Sequence, residues 1–297
     1  MSETRIWEEY YEYAGIVRQD VRAGCEPRLI ISKDCQNAIV LIHGLADSPF
    51  FMDAIGQYFH HTLGFNVFIP LLAGHGLKQP HNHKKATAEQ WISNVDFAIQ
   101  QAQASGENVT VSIGGLSAGG TLSVYQALFE PDRISGGVYL FSAALKLAEQ
   151  YSHFQDFVLA GKPIELLIET LGETTPLVGA NPYRYTRVAI EAAAQLLGLI
   201  QIINRKLETA ALQQPTFISH SEADDTVDIR GMEMLSEKST IVEFFRLQQH
   251  VSVPHASVVL KNDIVAEDGS LLEPENPFFH KMMDALHRFT KQHLNVI

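Results

Sequence analysis

The stretch from Val109 to Gly120 constrains this chain more than any other. Val109-Thr110-Val111-Ser112-Ile113 is β-branched and apolar, and it runs directly into Gly115-Leu116-Ser117-Ala118-Gly119. Thr121 to Leu128 follows with helical composition. A strand that becomes a helix within Gly-x-Ser-x-Gly makes a sharp elbow, with the serine in strained backbone geometry at its apex. The glycines are demanded by sterics, since a Cβ two positions either side of the serine would strike the neighbouring strand or helix. The turn lifts the Ser117 hydroxyl clear of the sheet and aims the next residue's N–H at the same point. The pentapeptide alone is a weak signal, whereas strand, elbow and helix in succession make a strong one.

Elsewhere short β-rich runs alternate with helical ones, the pattern of a mostly parallel central sheet covered by helices on both faces. Asn37 to Ile42 carries a continuous apolar run from Ala38 and leads into His43-Gly44, as a buried central strand should. Phe65–Pro70, Gly137–Ser142, Pro215–His220 and Ile241–Leu247 read as further strands, the last of these as the final one. Helices are expected from Pro49 to Leu63, from Ala88 to Ala104 (Trp91, Ile92, Val95, Ala98, Ile99 and Ala102 at helical spacing), and from Pro277 to His293. Cys25 and Cys35 bracket an expected N-terminal hairpin over Pro27 to Asp34.

From Leu145 to Leu212 the pattern changes. Helical runs (Leu147–Leu159, Pro163–Leu171, Val188–Leu207) surround a Gly/Pro-broken linker, Gly172 to Pro182, with no strand-like run. The stretch lies between two expected strands and exceeds an ordinary connection. It reads as a helical cap, 145–212, inserted into a core of 1–144 and 213–297.

Of the 297 residues, 46% are hydrophobic, enough for one large α/β core. A net charge of −12 without a basic patch argues against a nucleic-acid partner. The richest apolar run, Leu196 to Ile203, is too short and interrupted to span a bilayer, so no stable membrane insertion is expected. The acidic start, Met1 to Glu9, lacks a signal-peptide core, and the expectation is a cytoplasmic protein with two free thiols. No cofactor or metal is expected. His81-x-His83 lacks Cys, Asp or Glu at ligand spacing and reads as a solvated loop, and His60-His61 reads as a surface pair at a helix end.

A serine hydroxyl needs a histidine to take its proton, and the histidine needs a carboxylate to hold its tautomer. Both belong on loops beyond later strands. After Pro215–His220, Glu222, Asp224 and Asp225 compete for the acid role. Asp224 is favoured, because in Asp224-Asp225-Thr226-Val227-Asp228 the valine can anchor the turn. After Ile241–Leu247 stand His250 and His255; His255 is favoured by its tight turn, Val253-Pro254-His255-Ala256, leading into an apolar run. The chain holds 13 histidines, so position rather than residue type decides. An oxyanion hole would take one N–H from Ala118 and another from Leu45, in the loop His43 to Pro49, where Gly44 allows close approach and His43 braces the backbone.

These pieces resemble the α/β-hydrolases of the carboxylesterase and monoacylglycerol-lipase-like branch. The resemblance is carried by His43-Gly44-Leu45, Pro70-Leu71-Leu72-Ala73-Gly74-His75-Gly76, Thr87-Ala88-Glu89-Gln90-Trp91, Gly115 to Gly119, Asp224 to Asp228, and His255. It implies an α/β-hydrolase fold with Ser117 as nucleophile, Asp224 as acid, His255 as base, and Leu45 with Ala118 as oxyanion donors. Within it, Gly74-His75-Gly76 shapes a loop. Pro254 stands where the family has a small residue, which leaves His250 open. The expected reaction is hydrolysis of small carboxylic esters, of short to medium acyl chain or monoacylglycerol-like, through an acyl-enzyme. Phe154, Phe157, Leu166, Leu167, Leu196 and Leu197 of the cap would wall an apolar acyl pocket. A thioesterase, lysophospholipase or small-amide peptidase would use the same triad. A non-catalytic binder would be expected to have lost one of its members.

Overall fold

Apolar strand runs and amphipathic helices assemble into a sheet with a hydrophobic layer on each face. The computed structural model describes residues 5–32, 35–160, 174–176 and 181–294. In chain order the strands are β1 (Arg5–Ile6), β2 (Arg28–Ile30), β3 (Asn37–Ile42), β4 (Phe65–Ile69), β5 (Thr110–Leu116), β6 (Val138–Phe141), β7 (Thr174–Pro176), β8 (Arg187–Ala189), β9 (Thr216–Ser221), β10 (Val242–Leu247), β11 (Ile264–Val265) and β12 (Leu271–Glu273). Eight of them form the central sheet in the order β1-β2-β4-β3-β5-β6-β9-β10. β1 and β2 run antiparallel at one edge, and β4 onwards is parallel.

The register brings the functional loops together. Ile42 pairs with Gly115, Leu116 with Phe141, Phe141 with Ser219, and Ser221 with Leu247. The loops after β3, β5, β9 and β10 therefore leave the sheet along one carboxyl-terminal edge, where open α/β sheets place their sites.

On one face, α1 (Glu8–Ala14), α3 (Ala88–Gln103) and α4 (Ala118–Phe129) bury Tyr10, Trp91, Val95, Leu122 and Val124 in one cluster. On the other, α2 (Phe50–Leu63) and the helix Phe279–His293 bury Phe51, Phe59, Met282 and Phe289. Helix ends follow local chemistry. Thr87 and Gln90 close a capping box on α3, and Gly64 ends α2 at φ 74°, a backbone region that glycine enters at little cost.

The structure corrects several expectations. Among the described residues of Pro27–Asp34 there is one strand rather than a hairpin: β2 pairs with β1 and β4, and Ile30 is buried in the cluster that also holds the α2 side chains. The stretch 145–212 does contain strand, since β7 pairs antiparallel with β8. Helix there is α5 (Ser152–Leu159) and Ile190–Leu207, while the expected helix Pro163–Leu171 lies outside the described residues. Ile190–Leu207 places Ala192, Leu196, Ile200 and Ile203 in the same core cluster as α4. Ile241–Leu247 is not the final strand, because β11 and β12 form a small hairpin beyond β10. His60 is buried, with Nδ1 2.7 Å from the Phe65 carbonyl, so only His61 fits the expected surface pair. His83 is likewise buried, its ring 4.7 Å from that of His75, rather than solvated. Cys25 and Cys35 are not bonded to each other. No helix among the described residues is long and apolar enough to cross a membrane.

Candidate active site

Ser117 sits at the junction of β5 and α4 with φ 54° and ψ −118°, the strained geometry the elbow demands, which costs on the order of 1–3 kcal/mol. The surroundings hold it there. Ser117 N–H donates to the Phe141 carbonyl at 3.0 Å, and its own carbonyl accepts from Ala144 N–H at 3.1 Å. A Cβ on Gly115 would lie 2.5 Å from the Ile42 carbonyl oxygen, and one on Gly119 would meet that same oxygen. Ala118 is the first residue of α4, so its N–H has no acceptor within the helix and stands at the positive end of the helix dipole, next in the chain to the serine.

The loop after β3 lies against the elbow. A Cβ on Gly44 would stand 3.3 Å from that of Ser117, which puts the Gly44–Leu45 peptide beside the serine. Buried histidines fix this loop from behind. His43 Nε2 accepts from Leu72 N–H at 3.1 Å, so its proton is on Nδ1, which donates to the Gly44 carbonyl at 2.9 Å. His75 Nε2 is 2.5 Å from the Leu45 carbonyl, and burial lowers the pKa of both rings. Trp91 Nε1–H and Asn94 hold Ala73 beside them.

Beyond β9, Asp224 is boxed in. Its Oδ1 accepts from Thr226 N–H and Val227 N–H at 2.9 Å each, and its Oδ2 from His255 Nδ1 at 2.6 Å. Burial pushes its carboxyl upward, but the His255 charge and hydrogen bond, with His220 and Val227, outweigh this and hold it at about 2. For His255 burial acts to lower the pKa, and the charge and hydrogen bond of Asp224 win, leaving it above the ordinary histidine value.

Among the competing residues, Glu222 and Asp225 accept from other donors, although Asp225 also lines the cavity onto which Ser117 opens. Glu222 accepts from Gln249 N–H at 3.0 Å, tying the two loops together. Asp225 is exposed, its carboxylate accepting from Thr226 Oγ1. His250 is exposed on the turn Gln249–Val251.

Ser117, His255 and Leu45 open on one cavity of about 850 Å³, a size suited to a small organic ligand. Leu147, Phe154, Val188, Ile190 and Leu196 give it an apolar wall. Of the residues expected there, Phe154 and Leu196 line it, Phe157 does not, and Leu197 is buried in the core. Leu166 and Leu167 lie outside the described residues.

Two features at the site escaped sequence reasoning. His220, buried on β9, has Nε2 3.5 Å from Asp224 Oδ2 and 3.4 Å from the Val227 carbonyl; facing two acceptors, that nitrogen carries the proton. The available signal was a histidine inside an otherwise buried strand. The second is the charged group Asp47, Arg184 and Glu273, which also lines the cavity. Nothing local in the sequence links those three positions.

A mostly parallel sheet of this order, with a strained serine elbow and an Asp–His pair on the loops of later strands, defines an α/β-hydrolase. Comparison narrows the class. The chain belongs to the serine aminopeptidase (S33) family of hydrolases, whose model matches residues 33–244. It is 23% identical over 239 residues to the thermostable monoacylglycerol lipase of Bacillus sp. (strain H-257), covering 78% of this chain and 88% of that one. Among solved structures, a chain of the metagenome-derived lipolytic enzymes LipS and LipT superposes with TM-score 0.71 at 20% identity, covering 92% of this chain and 100% of that one. A soluble variant of monoglyceride lipase from Saccharomyces cerevisiae gives TM-score 0.66 at 12% identity, covering 91% of this chain and 93% of its own. The chain is thus a serine hydrolase of the α/β-hydrolase fold, as its resemblance implied.

Proposed function

We propose that the protein hydrolyses carboxylic esters of short to medium acyl chain, or monoacylglycerol-like esters, through an acyl-enzyme on Ser117. The observation that carries this reading is the placement of Ser117 and His255 on one apolar cavity, with His255 hydrogen-bonded to a buried, ionised Asp224. The monoacylglycerol lipase relative supports the ester class.

Ser117 Oγ attacks the ester carbonyl as His255 Nε2 takes its proton. Asp224 stabilises the resulting imidazolium and keeps Nδ1 protonated. The oxyanion is held by the N–H groups of Leu45 and Ala118, each such donor being worth roughly 3–4 kcal/mol of barrier. The imidazolium then protonates the leaving alcohol, and water activated by His255 releases the acid. Residues 145–212 act as the cap, α5 and the start of Ile190–Leu207 supplying the acyl wall through Phe154, Ile190 and Leu196.

A panel of p-nitrophenyl esters from acetyl to palmitoyl tests this, beside matched thioesters and amides. Ester turnover with an optimum at short or medium length is the expected result. Turnover of the thioester or amide set alone would overturn the ester assignment.

A further inference from the structure

Arg184 joins three distant parts of the chain inside the cavity wall. Its side chain is 7% exposed, and those of its partners Asp47 and Glu273 are 6% exposed. Nε donates to Asp47 Oδ1 at 2.9 Å, while Nη1 and Nη2 reach Glu273 Oε2 and Oε1 at 3.0 and 3.2 Å. Asn181 Nδ2 donates to Glu273 as well, and the guanidinium lies 4.6 Å over the Phe51 ring. The residues beside Arg184 are laid along the same loop: Tyr185 N–H donates to the Ala46 carbonyl at 2.8 Å, and Ser48 Oγ to the Tyr183 carbonyl at 2.7 Å.

Asp47 follows Leu45 by two positions, and its own N–H donates to the Gly44 carbonyl at 3.1 Å. Holding Asp47 therefore holds the Gly44–Leu45 peptide. Glu273 ends β12, in the hairpin that follows the His255 loop. A buried charged trio is weak evidence for stability, since a well-packed apolar substitute often does as well or better. Its fixed fork geometry, by contrast, sets positions closely.

We propose that Arg184 is a positioning residue of this hydrolase: it clamps the loop carrying Leu45 through Asp47, and it offsets the Asp47 carboxylate charge on the cavity that His255 also lines. The proposal rests on the reading of Ser117, Leu45 and His255 given above. The charged or titratable groups that act on His255 are Asp224 and Asp47, which favour its protonated form, Arg184, which opposes it, and His220 across Asp224. Glu273 stands on the same cavity. The clamp and the charge are separable. Lysine keeps the charge but cannot bridge both carboxylates, whereas asparagine at position 47 removes one carboxylate charge with little change of shape.

The test is p-nitrophenyl butyrate hydrolysis as a function of pH by wild type, Arg184→Lys, Arg184→Met, Asp47→Asn and Ser117→Ala. Arg184→Lys should lose kcat by about 10- to 100-fold, the scale of a misplacement near 1 Å, with KM little changed and the acid limb unmoved. Asp47→Asn should move the acid limb of kcat/KM to lower pH and Arg184→Met to higher pH. Wild-type kcat in Arg184→Lys overturns the clamp. Limbs that stay put, or that move in the same direction, overturn the charge role. If Arg184→Met does not fold, the isosteric Asp47→Asn decides that part alone. Ser117→Ala separates the two levels: full activity there sinks the reading of the serine, whereas an inactive Ser117→Ala beside an unslowed Arg184→Lys sinks only the present proposal.

Discussion

His255 Nδ1 and Asp224 Oδ2 meet at 2.6 Å, although the two residues stand on loops that leave different strands. The contact is over-determined. Thr226 N–H and Val227 N–H occupy the other carboxylate oxygen, and His220 faces the shared one from inside β9. The carboxylate thus cannot rotate without giving up at least one of these donors, and the imidazole is held through its Nδ1 on the cavity wall.

Charge and position around this contact separate neighbouring residues of the same type. Asp224→Asn should lower kcat by about 10⁴-fold, because the amide favours the wrong histidine tautomer, while Asp225→Asn stays near wild type. His255→Ala should abolish turnover and His250→Ala should not. Steady-state kinetics on one ester checks all four, and the reverse ranking in either pair contradicts the assignment.

The pH profile follows from the pair. His255 must be neutral to act as base, and its pKa is raised, so kcat/KM should fall on the acid side at a pH above the ordinary histidine value of about 6.5. The stabilities carry opposite signs. The Asp224 contribution is present above its unfolded value of about 3.9 and is lost as pH falls toward about 2. The His255 contribution is complete below about 6.5 and is lost as pH rises through its raised folded value. Melting temperature followed across pH in wild type and His255→Ala checks this. The mutant should lose more stability in mild acid than at alkaline pH, and an equal loss at both would count against the linkage.

The elbow predicts a stability effect as well. A methyl group at Gly119 would meet the Ile42 carbonyl, and backbone cannot swing aside as a flexible side chain can. Gly119→Ala should therefore destabilise by about 1–3 kcal/mol or more, read as a lower denaturant midpoint. Gly198, whose added Cβ would meet nothing within 4 Å, is the control, and its alanine variant should be neutral or stabilised.

What the sequence displayed was mostly local. The elbow at Ser117, the loop at His43 to Leu45 and the acidic turn at Asp224 are each specified within a few residues, by glycine sterics or by side chains bonding their own backbone. The mostly parallel sheet was visible for the same reason, its strands being short β-rich runs set between helical ones. What stayed hidden depends on long-range packing. Arg184 and Glu273 lie 89 positions apart, and no pattern near either one names the other. His60 and His83 looked like surface residues because only the assembled fold buries them. β7 is three residues long and falls within the Gly/Pro-broken stretch Gly172 to Pro182, too short for any alternation to register.

The central claim is that Ser117 is the nucleophile, and covalent capture tests it most directly. The protein should be treated with an alkyl p-nitrophenyl phosphonate, an ester analogue that phosphonylates activated serines, and the adduct mapped by peptide mass spectrometry. The account predicts one adduct, on Ser117, formed in step with loss of esterase activity and absent in His255→Ala. An adduct on another residue, or loss of activity with Ser117 unmodified, would contradict it.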